Sequence, residues 1–196
     1  KLSCKYFVCD VLETEKLQNI ITNLKDEIYG LAYCIGSINL KPIKLSNDKD
    51  FIESYKINTL GAINSIKTAL PSLIKNNGSI LLFSTIAVQQ GFVNHTIVST
   101  AKGAIEGLTL ALAAEFAPKI RVNCLAPSLT DAKMSQNMLK NENIKKAIET
   151  MHPIPKIGEG GDFGEIGSYL LSENNKWITG QIMHIDGGRS TLRIKS

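Results

Sequence analysis

The stretch "HTIVSTAKG", residues 95–103, carries groups able to move protons. On a helix, His95 stands three positions before Val98, on roughly the same face one turn apart, and Lys102 follows Val98 by four. A histidine can act as an acid near neutral pH, although a position near a helix start equally suits a loop or cap residue. Ser99 is adjacent to Val98 but points about 100° around the helix, and valine itself has no proton to give. Upstream, Asn58 offers an amide and Thr85 a hydroxyl that can donate or accept. Ser84 is a second hydroxyl beside it, which strand alternation sends to the opposite side. The intervals from Asn58 through Thr85 and Val98 to Lys102 are 27, 13 and 4 residues.

Other positions invite two readings. Asp10 closes an apolar run, where an acidic group can meet the adenosine end of a dinucleotide or can simply cap a helix or make a turn. Gly36 closes another, where a missing side chain lets backbone approach a ligand or merely turn. His152 and His184 have no metal-ligand spacing and read as structural.

The elements that must position these groups alternate between short apolar runs and longer helical patterns. Strands are predicted over residues 5–11, 30–36, 78–85, 120–127 and 180–188. Helices are predicted over 14–27, where Leu17, Ile20, Ile21 and Leu24 recur at helical spacing, and over 48–74, 96–116 and 163–172. Pro71 marks a kink or the last turn of the second of these. Residues 128–150 are polar and helical in parts. This order gives an α/β fold, a Rossmann-type doubly wound parallel sheet between two helical layers, with ligands at the carboxyl ends of its strands.

Size and composition narrow the class. The 196 residues, 43% of them apolar, are enough for one domain with a sizeable core. A net charge of +4 from scattered basic residues argues against a nucleic-acid partner. The four cysteines lie within or beside apolar runs without short spacing, so they read as buried, reduced thiols in a cytoplasmic protein. No uninterrupted apolar run of membrane length and no signal-peptide pattern is evident, so no membrane partner is expected. The chain opens on Lys1 and enters an apolar run almost at once, so a preceding segment is expected.

With these motifs in hand, the chain resembles the short-chain dehydrogenase/reductase family, whose members interconvert alcohols and carbonyls with NAD or NADP. The family's Asn-Ser-Tyr-Lys tetrad falls on Asn58, Thr85, Val98 and Lys102. "CDV" is similar to its adenine-contacting motif, "YCIG" stands where an Asn-Asn-Ala-Gly motif belongs, "IRVNCLAPSLTDAKM" resembles the segment against nicotinamide, and "WITGQIMHIDGG" the C-terminal signature. More narrowly, "VQQGFVNHTIVSTAKGAIEGLT" looks like a divergent bacterial branch that also lacks the tyrosine.

The resemblance implies one Rossmann-fold domain over 1–196, lacking the first βαβ portion and its glycine-rich turn, with a substrate lid at about 129–160. It implies catalytic roles for Asn58, Thr85 and Lys102, and cofactor contacts at Asp10, Val11, Cys34, Gly36, Lys102, Pro127, Ser128, Leu129 and Thr130. Hydride transfer to a carbonyl leaves an oxyanion that an acid must protonate, and the family's acid is the tyrosine that Val98 replaces. The expectation is therefore an NAD- or NADP-dependent oxidoreductase for a small-molecule substrate, assembled as a homodimer or homotetramer. The alternative is a non-catalytic dinucleotide- or metabolite-binding protein on the same fold.

Overall fold

A computed structural model describes residues 4–24 and 27–193. Helix α1 (Thr14–Thr22) precedes strand β1 (Gly30–Ala32), and a long helical stretch follows as α2 (Asp48–Tyr55) and α3 (Gly61–Lys75). Next come β2 (Ser79–Phe83), α4 (Thr96–Phe116) and β3 (Arg121–Pro127). Two short helices, α5 (Gln136–Leu139) and α6 (Glu142–Glu149), lead to α7 (Gly160–Leu171) and β4 (Ile182–Ile185).

The four strands pair in parallel in the order β1-β2-β3-β4. Side chains alternate along them, so Ile80 and Leu82 of β2 join Val122 and Cys124 of β3 beneath α3 and α4. Leu81 and Leu125 point the other way, onto Leu170 of α7. Burial of both faces explains why these strands read as near-continuous apolar runs. The result is the expected doubly wound, three-layer fold.

Several elements depart from expectation. The strand expected over residues 5–11 does not form: residues 4–10 have no regular structure, and Tyr6 and Val8 are each 84% exposed. A strand needs a ladder partner, and among the described residues none lies beside this run. Among the described residues β1 has a strand neighbour on one side only, and its regular part is shorter than the expected 30–36, although Tyr33 N–H still donates to the Leu81 carbonyl at 3.0 Å. α1 stops at Thr22, and Lys25 and Asp26 of the expected helix lie outside the described residues. α7 begins at Gly160, three residues earlier than expected, because the Asp162 carboxylate accepts from the Glu159 N–H at 2.7 Å and caps the first turn.

The helix expected over 48–74 is present but interrupted. Asn47 and Asp50 cap its start reciprocally, and residues Lys56–Leu60 form a π-helical turn between α2 and α3. Pro71 lies near the end of α3, which runs on to Lys75. Such wide turns concentrate at functional sites.

Two compositional expectations also change. Only Cys124 is buried, whereas Cys4 and Cys34 are exposed and Cys9 is intermediate; all four are free thiols. α4 has the length and mean hydropathy, 1.3, to cross a membrane, because Lys102, Glu106 and Glu115 are too few to lower the average. In the fold it packs against β3, with Ile97, Val98, Ala101, Ile105 and Ala113 buried, as a core helix does.

Candidate active site

The carboxyl ends of the strands open into a cavity of about 690 Å³. Residues following β1, β2, β3 and β4 all reach its wall, as a doubly wound sheet predicts. From β2, Thr85 faces the cavity while its Oγ1 accepts from the Ala87 N–H at 3.3 Å, fixing the rotamer. Ser84 also borders the cavity, but its hydroxyl donates to Glu106 at 2.7 Å, so that proton is engaged by the helix behind.

α4 supplies the next two groups. Val98 is 4% exposed and lines the cavity, and Lys102 follows one turn later. Lys102 Nζ donates to the Phe83 carbonyl at 2.8 Å, which ties the helix to the end of β2. Burial lowers its pKa to about 8, against smaller opposing effects of Cys124 and Cys34.

Asn58 sits in the π turn, fully buried behind the cavity wall. Its side-chain nitrogen lies 3.0 Å from the Ser54 carbonyl and 3.1 Å from Ser37 Oγ, while its Oδ1 accepts from the Ser37 N–H at 3.2 Å. The asparagine thus clamps the loop leaving β1. At the apex of that loop is Gly36, where a Cβ would stand 2.8 Å from Asn58 Oδ1 and 3.4 Å from Lys102 Nζ. Glycine is required here by close approach. Gly36→Ala is expected to cost roughly 1–3 kcal/mol, because the asparagine is locked and cannot yield; urea unfolding would measure it, and a loss near zero would mean that the loop shifts freely.

Of the residues expected to bind cofactor, Cys34, Gly36 and Lys102 line the cavity, as do Pro127, Ser128, Leu129 and Thr130. Asp10 and Val11 do not. Asp10 Oδ1 accepts from the Leu12 N–H at 2.9 Å in a turn, and Val11 is buried with Tyr33 in the core. His95 borders the cavity with Nδ1 directed at the Val93 carbonyl, 2.8 Å away, and its ring edge-on to Phe92.

The excursion after β3 lines the cavity with Leu129, Met134, Met138, Ile148 and Met151. Its base is pinned where the Asp131 N–H donates to the Gly158 carbonyl at 2.8 Å and the Gly158 N–H to the Leu129 carbonyl at 3.1 Å. Within it, His152 is 3% exposed, with Nδ1 at 2.8 Å from the Ile148 carbonyl and Nε2 at 2.8 Å from Ser128 Oγ. A carbonyl only accepts, so Nδ1 carries the proton and Nε2 accepts from the serine. His152 therefore ties this excursion to the residue that follows β3. Sequence reasoning missed the methionines of this excursion and Arg189, whose guanidinium donates to Ser128 Oγ at 3.3 Å; only its position just after the Gly187-Gly188 pair could have signalled it.

A family model described as enoyl-(acyl carrier protein) reductase matches residues 1–190. The human protein "Dehydrogenase/reductase SDR family member 2, mitochondrial" is 27% identical over 196 residues, covering 97% of this chain and 70% of the relative. The chain belongs to the short-chain dehydrogenase/reductase family. A mouse member of the family, 3-oxoacyl-[acyl-carrier-protein] reductase, is 28% identical over 93% of this chain and 76% of its own. Among solved members, ElxO with NADP bound superposes with a TM-score of 0.89 at 27% identity, over 96% of this chain and 79% of ElxO. Ligand-free aldohexose dehydrogenase from Thermoplasma acidophilum reaches 0.91 at 22% identity, over 100% of this chain and 82% of that enzyme, and speaks to the fold. The Lys102, Thr85 and Gly36 of this short-chain dehydrogenase/reductase meet at one cavity, and Val98 shares that wall.

Proposed function

We propose that this chain is an NAD(P)-dependent short-chain oxidoreductase that interconverts an alcohol and a carbonyl by hydride transfer, with valine at the position of the family's tyrosine. The observation that carries the proposal is the convergence of Thr85, Lys102 and Gly36 on one cavity, with Asn58 locked behind them. The side-chain-free floor at Gly36, beside the Lys102 ammonium, suits the ribose and nicotinamide half of a dinucleotide. Lys102 would hold the ribose hydroxyls, and Pro127 to Thr130 would lie against the nicotinamide.

A bound reduced nicotinamide supplies the hydride that adds to the carbonyl carbon. The Thr85 hydroxyl holds the substrate oxygen and stabilises the charge that develops on it. Lys102 Nζ gives that oxygen its proton, since a partly desolvated ammonium with a pKa of about 8 is a competent acid near neutral pH. Asn58 keeps the Gly36 loop and the lysine in register. The lid, braced by His152, keeps water from the reacting atoms.

Val98 favours the second reading, a dinucleotide- or metabolite-binding protein without turnover, because a buried valine leaves the usual acid out of the site. Titrating the full-length protein with NADH and NADPH, followed by nicotinamide fluorescence, separates these. Saturable binding with turnover of some member of a carbonyl panel is expected. Failure to bind either nucleotide would sink the oxidoreductase proposal, and binding without turnover would favour the second reading.

A further inference from the structure

One part of the cavity wall, which reaches the Gly36 floor through Met134 Cε, is unusual in composition. Ile38, Leu40 and Phe92 meet Met134, Met138 and Met151 of the excursion after β3 there, so three of the four methionines of the chain face one space. Methionine is unbranched and polarizable, and such a wall adapts to flexible apolar ligands.

Into this wall projects one guanidinium. Arg189 lies with its Cζ 4.8 Å from the centroid of the Phe92 ring, donates to Ser128 Oγ at 3.3 Å and approaches Met151 Sδ at 3.5 Å. All three partners are neutral. The nearby Asp186 carboxylate is occupied by the backbone N–H groups of Gly188 and Ser190, at 2.9 and 2.8 Å. Asp131, the acid on the cavity wall, is exposed at the rim. Among the described residues Arg189 makes no ion pair, and desolvation lowers its pKa against a smaller opposing effect of Asp186. A guanidinium has five N–H donors in a fork that matches a carboxylate, and most of these have no partner within the protein.

We propose that the cavity binds an amphipathic carboxylate, with its acid group on Arg189 and its apolar body along the methionine wall. The inference rests on the oxidoreductase proposal for turnover, in which case the substrate is an oxo or hydroxy acid whose carbonyl is separated from its carboxylate by an apolar spacer. Binding itself does not depend on that proposal. A charge-assisted bidentate pair in a half-buried setting is stronger than a neutral hydrogen bond, so the acid group discriminates between ligands of equal apolar size.

Calorimetric titration of the full-length protein, with and without NADPH, tests this using octanoate, octanamide and acetate. Octanoate is expected to bind at least about tenfold more tightly than octanamide, and acetate too weakly to measure. Arg189→Gln should bring octanoate down to the octanamide level while leaving octanamide binding unchanged, which also shows that the cavity is intact. Arg189→Lys should retain part of the preference, since it keeps the charge and loses the fork. Equal binding of octanoate and octanamide to the unmodified protein, or full octanoate affinity in Arg189→Gln, would overturn the proposal. Octanoate preference without any NADPH-dependent turnover would uphold it while removing the oxidoreductase reading, whereas turnover of neutral carbonyls beside equal binding of octanoate and octanamide would do the reverse.

Discussion

Val98→Tyr is expected to raise NADPH-dependent carbonyl reduction by about 10²–10⁴-fold, the usual contribution of a well-placed general acid. The geometry favours it. Position 98 is on the cavity-facing side of α4, one turn before Lys102, so a phenol there would extend toward open space beside the ammonium. The valine is 4% exposed, yet its neighbour on one side is a cavity of about 690 Å³ rather than packed core, so the larger ring has somewhere to go. Thr85 would share the substrate oxygen with the new hydroxyl. The measurement is initial-rate kinetics on the same carbonyl panel, beside a nucleotide titration that confirms unchanged NADPH affinity. A folded variant with normal NADPH binding and no gain in rate would mean that Thr85, position 98 and Lys102 are not arranged for this chemistry.

Lys102→Met should have the largest effect in the opposite direction, a fall in turnover of about 10²-fold or more together with weaker nucleotide binding. It should also stabilise the protein without ligand. Burial lowers the lysine pKa to about 8 from 10.5, so between those values the unfolded chain holds a proton that the folded chain has released. Stability attributable to this group therefore rises with pH across that window and is lowest below about pH 8, where the buried ammonium costs on the order of 3 kcal/mol. Tyr33 and Cys124, both pushed up to about 12 by burial, act in the opposite sense at alkaline pH, but both proteins contain them. The comparison to make is denaturant unfolding of the two proteins from pH 7 to 10.5. The variant should be the more stable at pH 7, and the difference should shrink as pH rises. A constant difference across the range would mean that the lysine is solvated in the folded protein.

The two effects share a cause. The same desolvation that would suit Lys102 to the proposed acid role makes it a burden on the fold, a common trade at sites where charge is held away from water.

Much of this was legible in the sequence because it depended on local pattern. The apolar runs around β2 and β3 and the long pattern of α4 each carried enough residues in one period to declare their element. The positions of Asn58, Thr85, Val98 and Lys102 fell in order because each is tied to a strand end or a helix turn, where spacing along the chain becomes spacing in the fold. Residues 5–11 show the limit of such reasoning. Their pattern suited a strand, but a strand is a pairwise object and no neighbour stands beside them among the described residues. Asp10 likewise allowed a ligand contact or a turn, and its side chain serves the turn in this structure.

What only the tertiary structure decided is whatever required distant segments to meet. The locked amide of Asn58 needs Ser37 from another loop, the anchoring of the excursion after β3 needs His152 against Ser128, and the apolar wall with its lone guanidinium draws on Phe92, three methionines of that excursion and Arg189 beyond the last strand. None of these residues is distinctive alone, since a methionine or an arginine satisfies its surroundings almost anywhere on a surface. The sequence by itself determined the family and the sheet, because those are written in spacing and residue type. The character of the cavity came from packing, because the energy of an apolar wall and of a charge upon it depends on which atoms face each other and how much water lies between them.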